Sequence, residues 1–410
     1  MKVLFVHQNF PAQFRHLAHV LGSRDDFQVV ALGEVGNVTK QSRIDGVKLF
    51  GYRCACPDVA NVHPYAMPLD RAVHRGQAVA AACDELRRQG FIPDVIYAHP
   101  GWGEALFLRD TFPAARITLY CEFYYRGQGA DVGFDPELPI AAGDALRVRV
   151  KNAGTLLSLE ACDDGISPTR WQQSTFPEVF RPRIRVIHDG IDTDYLTPAR
   201  SERIQLPGAA AHLNAIDEIV TYVARNLEPY RGFHIFMRAV PLLQQHRPHA
   251  HIVVVGGSDV SYSPRPPHRK TYKEMALAEL GSQLDMSRLH FIDHVSHATL
   301  RALYQVSSAH VYLTYPFVLS WSMLEAMSTG CVVVASRTAP VEEVIRHGQN
   351  GFLVDFFDSA QIASQTAEVL AQRAELAHVR EHARRTIVER YDLRRVSLPA
   401  QLRALKVAVA

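Results

Sequence analysis

The chain has 410 residues, with 44 Lys and Arg against 42 Asp and Glu, for a formal net charge of +2. That length suggests two or three domains and allows two sizeable cores, while the balanced charge gives no case for nucleic acid or a broad anionic surface. No apolar run approaches a membrane span. Of the six scattered cysteines only Cys54 and Cys56 are close, and no second pair completes a zinc site. A reduced, cytoplasmic protein fits this usage, and the sequon Asn37-Val38-Thr39 is then chance.

The opening MKVLFVHQNF has too short an apolar run for a signal peptide and reads as a strand over 2–6. The loop His7-Gln8-Asn9-Phe10-Pro11 leads into a helix with Phe14, Leu17, Val20 and Leu21 on one face. This βα unit lacks the glycine-rich turn of dinucleotide-binding folds, which argues against a dehydrogenase. Further strands are read at 27–32 and 47–52, then a long helix at about 70–89 and the strand DVIYAH. His99-Pro100-Gly101-Trp102-Gly103 turns the chain away. His99 reads either as a satisfied core histidine or as a site residue. A strand over 117–121 is followed by EFYYRGQGADVGFDPELP, an aperiodic, aromatic and glycine-rich segment of the kind that forms functional loops. Glu122 opens it; Tyr124, Tyr125 and Arg126 either face a ligand or close the loop. A helix near 143–160 carries Arg147, Arg149 and Lys151, a basic face that is usually solvated but suits an anionic membrane or a phosphorylated ligand. Strands around 165–167 and at RIRVIH end this half.

Weak periodicity and small residues mark a linker over 199–217. Beyond it EIVTYVA, HIVVVGG, LHFID, HVYLT, CVVVAS and GFLV alternate with helices, the pattern of a second parallel sheet. The stretch 315–357 is the most informative. Trp321, Met323, Leu324 and Met327 have helical spacing, and the helix stops at Gly330. CVVVAS reads as a strand buried on both faces. A second helix over 340–348 and the strand GFLVD complete one edge of a doubly wound domain, where ligands bind at the carboxyl ends of strands and helix N-termini face anions. Residues 359–391 read as helical, and a last helix spans about 396–409.

Five pieces, VIHDGIDTDYLTP, VARNLEPYRGF, FIDHVSHATLRALYQVSSAHVYLT, LEAMSTGCVVVAS and EEVIRHGQNGFLV, occur in this order over most of 160–390. Together they resemble the donor-binding half of the family 4 glycosyltransferases. The resemblance implies an α/β protein of GT-B fold: two Rossmann-like, doubly wound parallel-sheet domains facing a cleft. It places an N-terminal acceptor-binding domain at 1–198, a C-terminal nucleotide-sugar-binding domain at 199–390, and a C-terminal helix at 391–410 that packs back on the first domain. One feature departs from the family, which usually has two glutamates separated by seven residues. Glu325 matches the second. Counting back gives Phe317, and aligning YPF with the family's E-P-F gives Tyr315, so the first acid is missing either way.

The resemblance also assigns roles. Such an enzyme stabilises a nucleotide diphosphate as the sugar–phosphate bond breaks, which needs fixed positive partners. Arg225 and Arg231 stand where the family has an Arg and usually a Lys on the diphosphate, with Arg231 one residue further along. The bland alternative is two surface arginines. Glu325 corresponds to the ribose-binding carboxylate; the alternative is a capping box, Ser322 with Glu325. The N–H groups around Phe317, Val318, Leu319 and Ser320 are expected to face the diphosphate, with Gly257 and His294 also on the donor side. Glu343 matches a further family position; otherwise it is a first-turn acid offsetting a helix dipole. Glu122 stands where many members have a His near sugar and acceptor, so it is expected to orient or deprotonate an acceptor hydroxyl, with His99 beside it. The departing phosphate is thought to take the acceptor proton in the family. His7 and Asn9, at the mouth of the first strand, are expected to contact an acceptor.

The reading is a retaining hexosyltransferase that needs no metal and no cofactor beyond its nucleotide-diphosphate sugar, UDP in preference to GDP. It acts on a small-molecule, glycan or lipid-linked acceptor, in the cytoplasm or peripheral to the inner membrane face. One rival keeps the fold: a UDP-sugar epimerase or a phosphorylase. The other is a non-catalytic sugar-nucleotide sensor, which the missing glutamate favours.

Overall fold

The computed structural model describes residues 1–39, 43–55, 62–138, 140–198, 204–205 and 212–407. The chain forms two compact units, Met1–Asp189 with Arg394–Ala410, and Gly190–Leu393.

In the first unit seven strands form one parallel sheet: β1 (Lys2–Val6), β2 (Gln28–Glu34), β3 (Val47–Tyr52), β4 (Val95–Ala98), β5 (Arg116–Tyr120), β6 (Asp164–Ser167) and β7 (Ile184–Val186). Their order is β3-β2-β1-β4-β5-β6-β7. Val3, Leu4, Phe5 and Val6 have no solvent exposure, as expected for a strand covered by helices on both faces. The chain runs outward from β1 in one direction, then returns to β4 on the other side. That leaves a switch point between β1 and β4, where ligands of doubly wound sheets bind.

The helix expected over 143–160 is two, Asp144–Lys151 and Ala153–Ala161. The break falls at the buried Asn152. Its side-chain amide donates to the Tyr125 carbonyl at 2.7 Å and accepts from the Tyr125 N–H at 3.2 Å. Asn binds backbone readily outside helices, and here it holds the aromatic loop after β5.

The second unit contains a short antiparallel pair, β8 (Ile204–Gln205) with β9 (His212–Leu213). Its main sheet is β10 (Ile219–Asn226), β11 (His251–Gly257), β12 (Leu289–Ile292), β13 (Ala309–Tyr312), β14 (Val332–Ser336) and β15 (Phe352–Val354). The order is β12-β11-β10-β13-β14-β15, all parallel, with the switch point between β10 and β13. All five residues of β14 are buried, in line with the apolar run CVVVAS. In the helix Trp321–Ser328, Met323, Leu324 and Met327 are fully buried, but Trp321 is 37% exposed and lies off the apolar face.

The crossing into the second unit comes before the expected boundary, at Asp189–Gly190. Gly190 takes φ +98°, a turn conformation suited to glycine. The next residues are tied to that unit: the Ile191 N–H donates to Tyr391 O at 2.8 Å, Leu393 N–H donates back to Ile191 O at 2.9 Å, and Ser328 Oγ donates to Leu196 O at 2.6 Å. Within the expected linker, Ile204 and Leu213 join a core with Ile219, Val253, Val255 and Ile292. The rest of it, 199–203 and 206–211, and Cys56 lie outside the described residues. The helix expected over 340–348 spans only Ala339–Glu342. Residues 359–391 form two helices, Ser359–Ala371 and Ala377–Arg390, and the last helix is Leu398–Ala404. Among the described residues no helix is long and apolar enough to cross a membrane.

Candidate functional site

In the first unit three adjacent strands end on polar side chains. His7 follows β1, His99 follows β4, and Glu122 lies two residues past β5. Both histidines are buried and make the same turn. The Asn9 N–H donates to His7 Nδ1 at 2.9 Å, and the Gly101 N–H donates to His99 Nδ1 at 3.0 Å. A backbone N–H can only donate, so each Nδ1 is the acceptor and the proton of the neutral ring is on Nε2. His7 Nε2 then donates to Gln13 Oε1 at 3.1 Å, and Gln13 Nε2 donates to Glu122 Oε1 at 2.8 Å. The other carboxylate oxygen, Oε2, is 3.5 Å from His99 Nε2. That is beyond a good hydrogen bond, and His99 Nε2 has no hydrogen-bond partner. Trp102 stacks on His99 with ring centroids 4.3 Å apart.

The support beneath is also specific. A Cβ on Gly101 would stand 2.7 Å from His99 Cε1, and one on Gly103 2.3 Å from Ala72 O. The HPGWG turn therefore needs glycine at both places. Glu104 is fully buried, and burial pushes its carboxyl above the usual range. It accepts from the Gln8 N–H at 3.1 Å and from Tyr52 Oη at 3.3 Å, which fixes the loop after β1.

The residues after Glu122 close their own loop. Tyr124 N–H donates to Thr175 Oγ1 at 3.1 Å, and Arg126 Nε donates to Thr175 O at 3.2 Å while Nη2 donates to Ser174 O. Lys151 Nζ lies 3.3 Å from the Tyr125 ring centroid, and burial lowers its pKa to about 8. Arg147 and Arg149 are exposed, so the basic face is a solvated one apart from Lys151.

In the second unit Arg225 lies at the end of β10 and Arg231 in the turn that follows, at the β10/β13 switch point. A register shift between Val223 and Asn226 marks a bulge in β10, and Arg225 stands there, exposed. Arg231 is anchored instead. Its Nη1 donates to Val318 O at 2.8 Å, Thr314 Oγ1 at 2.9 Å and Tyr312 Oη at 3.4 Å. Burial works to lower its pKa, but the phenols of Tyr312 and Tyr262 and the Glu228 carboxylate outweigh this, and the value is raised. Glu228 itself is 1% exposed, and its Oε2 accepts from the N–H groups of Ser261, Tyr262 and Ser263 at 3.1, 3.0 and 2.9 Å. One carboxylate thus clasps the loop after β11 against the turn carrying Arg231. Nothing in the sequence singled out Glu228 or Gln13; a glutamate before proline and a glutamine near a helix start are common, and only their burial and partners distinguish them.

Glu325 is 9% exposed, and its Oε1 pairs with His297 Nε2 at 3.1 Å. The His297 ring stacks on Tyr195, centroids 5.2 Å apart. The capping-box alternative fails: Ser320 is the N-cap, Ser322 is the second residue of the helix, and Glu325 lies beyond reach of the cap N–H. Not every N–H expected to face a diphosphate is open, because Ser320 N–H donates to Tyr312 Oη at 2.8 Å. Leu319 is core, and Val318 contributes its carbonyl to Arg231. Phe317 is buried against Tyr230 and Tyr262, and Tyr315 stacks on Tyr230 at 4.7 Å. Wherever the missing acid is aligned, a buried aromatic ring stands in its place. Gly257 ends β11 under the His294 ring, where a Cβ would come within 2.6 Å of Cε1. Glu343 follows the helix Ala339–Glu342, so the first-turn acid there is Glu342.

Residues 25–196 match the family described as Glycosyl transferase family 4 group, and residues 210–386 match Glycosyl transferases group 1. The D-inositol 3-phosphate glycosyltransferase of Mycolicibacterium vanbaalenii is 28% identical over 237 residues, 57% of this chain and 51% of that protein. That of Corynebacterium efficiens is 28% identical over 189 residues, 46% of this chain and 43% of that protein. The chain spans about half the length of the curated relatives it matches. Among solved structures, the sucrose-phosphate synthase of Thermosynechococcus elongatus superposes with a TM-score of 0.75 at 17% identity, over 99% of both chains. Anabaena HepE in complex with UDP gives 0.68 at 19%, over 100% of both. At such identities the likeness is one of fold. With the family matches in both halves and a parallel α/β sheet in each unit, the chain belongs to family 4 of the glycosyltransferases and has the GT-B fold.

Proposed function

We propose that the protein is a retaining glycosyltransferase that moves a sugar from a nucleotide-diphosphate sugar to an acceptor hydroxyl without a metal ion. The observation that carries this reading is Arg231, a guanidinium held by three oxygens at the carboxyl ends of the strands, six residues after the exposed Arg225. Two cations at a switch point suit a diphosphate whose charge grows as the sugar leaves. Glu325, with one oxygen on His297, keeps lone pairs for the hydroxyls of a ribose. Gly257, His294 and Glu343 border the donor in this reading. In the first unit, Glu122 is part-exposed with Oε2 3.5 Å from the buried His99 Nε2, so its carboxylate can accept from an acceptor hydroxyl while His99 backs it.

HepE, which shares the fold, is described with UDP, which makes UDP the first nucleotide to try and GDP the second. The test is thermal stabilisation by a nucleotide panel, with and without EDTA. Binding to the native state raises its stability by mass action, about 2.7 kcal/mol at a hundred times Kd. UDP or GDP is expected to stabilise and EDTA to leave the shift intact. Turnover that strictly requires Mg²⁺ or Mn²⁺ overturns the metal-free part.

The sensor reading has one observation behind it: the aromatic rings of Tyr315 and Phe317 fill the place of the first acid. Donor hydrolysis or transfer separates the two readings, since a sensor gives neither. The helix Asp144–Lys151 exposes Leu146 at 60% beside Arg147 and Arg149, which supports contact with an anionic membrane. Co-sedimentation with phosphatidylglycerol vesicles, lost in Leu146→Asp, tests that contact.

A further inference from the structure

We infer that Gln13, oriented by His7, is a positioning residue that holds Glu122 ionised and leaves its Oε2 as the oxygen facing His99. A glutamine amide can be turned either way, so what decides its direction matters. Here the decision runs back to the backbone. The Asn9 N–H occupies His7 Nδ1, which puts the His7 proton on Nε2. That proton needs an acceptor, and the atom 3.1 Å away is a Gln13 side-chain terminus. It must be the oxygen. The Gln13 NH₂ group is then the one that faces Glu122, at 2.8 Å from Oε1. A donor aimed at a carboxylate oxygen favours the charged form, and it also disfavours a proton on that oxygen.

Charge on Glu122 is contested by what surrounds it. Buried Tyr120 is the last residue of β5, and its phenol donates to Asp189, so a second carboxylate lies behind the same strand end. His99 faces Oε2 from β4, and His7 stands behind Gln13 from β1. Both histidines have Nδ1 engaged as an acceptor, so neither carries a full positive charge toward Glu122 while those bonds last. The neutral amide of Gln13 is a fixed donor on the carboxylate, 2.8 Å from Oε1. Gln13 sits in the turn Ala12–Phe14, directly before the helix Arg15–Gly22, and the aromatic ring of Phe14 packs edge-on against His7 with centroids 5.5 Å apart. The turn sets the reach of Gln13, and the ring fixes the direction of His7.

For turnover, the inference rests on Glu122 facing the acceptor hydroxyl; the hydrogen-bond chain itself does not. The test uses both. Titrate the carboxyl carbons of the full-length protein by ¹³C NMR, with the Glu122 signal assigned by its loss in Glu122→Gln. In Gln13→Met the Glu122 midpoint is expected to rise by about one pH unit, the scale of one lost hydrogen bond to a charged group at a partly exposed site. In Gln13→Glu it is expected to rise further, because two carboxylates in contact share a proton. His7→Phe is expected to move it in the same direction by less, since the amide is then free to turn. Gln13→Glu keeps the side-chain shape and is read even where Gln13→Met does not fold. Midpoints within about 0.3 pH unit of wild type in the Gln13 variants overturn the inference and make Gln13 a packing residue. In the transfer assay, the acid limb of kcat is expected to shift with the NMR midpoint while donor KM holds. A shifted midpoint with neither donor hydrolysis nor transfer by the wild-type protein refutes the glycosyltransferase reading and leaves the relay standing.

Discussion

The two arginines at the second sheet's switch point separate binding from folding, and replacing each by alanine gives different outcomes. Arg225 is exposed on the β10 bulge and makes no hydrogen bond or ion pair within the described residues. Arg225→Ala removes nothing the fold uses, so the melting temperature is expected to stay within about 1 °C. A charge-assisted hydrogen bond to phosphate contributes about 1.5–3 kcal/mol, so UDP affinity is expected to fall by roughly tenfold to a hundredfold. Arg231 is different. Its loss leaves Val318 O and Thr314 Oγ1 without their donor at 2.8 and 2.9 Å. Each buried unsatisfied group costs about 1–3 kcal/mol, reduced here because water refills part of the space, so about 2–4 kcal/mol of stability is at stake. For a unit of some two hundred residues that is a fall of roughly 5–15 °C. Arg231→Lys keeps the charge but cannot reach both acceptors, and is expected to recover binding better than stability. Isothermal titration with UDP and calorimetric melting of the four proteins give both readouts. UDP affinity within twofold of wild type in Arg225→Ala places the phosphate site elsewhere. An unchanged melting temperature in Arg231→Ala shows that the three-oxygen anchor contributes nothing to the fold.

Much of this arrangement was legible in the sequence, and the parts that were not share a cause. The apolar runs at 2–6 and 331–336 announce strands buried on both faces, and alternation with helical segments announces parallel sheets. Periodicity places Met323, Leu324 and Met327 in the core but cannot see that Trp321, one residue past the N-cap, escapes it. The pattern over 143–160 makes Asn152 an interior helix residue; its side chain is used instead to hold Tyr125, a contact 27 residues away in sequence. Ser322 and Glu325 have capping-box spacing, yet the helix starts two residues earlier because Ser320 accepts from the Ser322 N–H. Glu228 and Gln13 act through partners 33 and 109 positions away. No local pattern encodes such pairs, since only the fold brings the two halves together. The division at 189/190 is illegible for the same reason: residues 191–196 are held by bonds to 328 and 391, which a composition shift does not register.

Three further outcomes are expected. Glu325→Gln keeps the side-chain shape but loses the charge that pairs with His297; nucleotide affinity is expected to fall about tenfold with the melting temperature within about 2 °C, and a large loss of stability at normal affinity makes Glu325 a structural acid. Glu122→Gln is expected to hold nucleotide affinity within about threefold while turnover drops roughly a hundredfold; unchanged turnover removes Glu122 from the chemistry and leaves His99 as the next residue to test. The last concerns acid stability. His310 is fully buried in β13, with Nδ1 3.0 Å from Thr221 Oγ1 and Nε2 without a partner, and burial lowers its pKa to about 3. Unfolded, it titrates near 6.5. Below that pH the unfolded chain binds a proton that the folded one refuses. The stability contributed by neutral His310 is thus fully present above pH 6.5 and is lost as pH falls toward 3. The slope is about 1.4 kcal/mol per pH unit, so moving from pH 6.5 to 4.5 removes roughly 2–3 kcal/mol through this residue alone. His188 in the first unit, lowered by burial to about 4, acts in the same direction over a narrower window. Urea melts of wild type and His310→Leu at pH 7 and pH 4.5 isolate the second unit's share. The leucine variant loses the Thr221 bond and is expected to be less stable at pH 7, yet to lose less than wild type on acidification. Parallel losses in both proteins mean that His310 accepts its proton without unfolding, and the acid sensitivity then belongs to other groups.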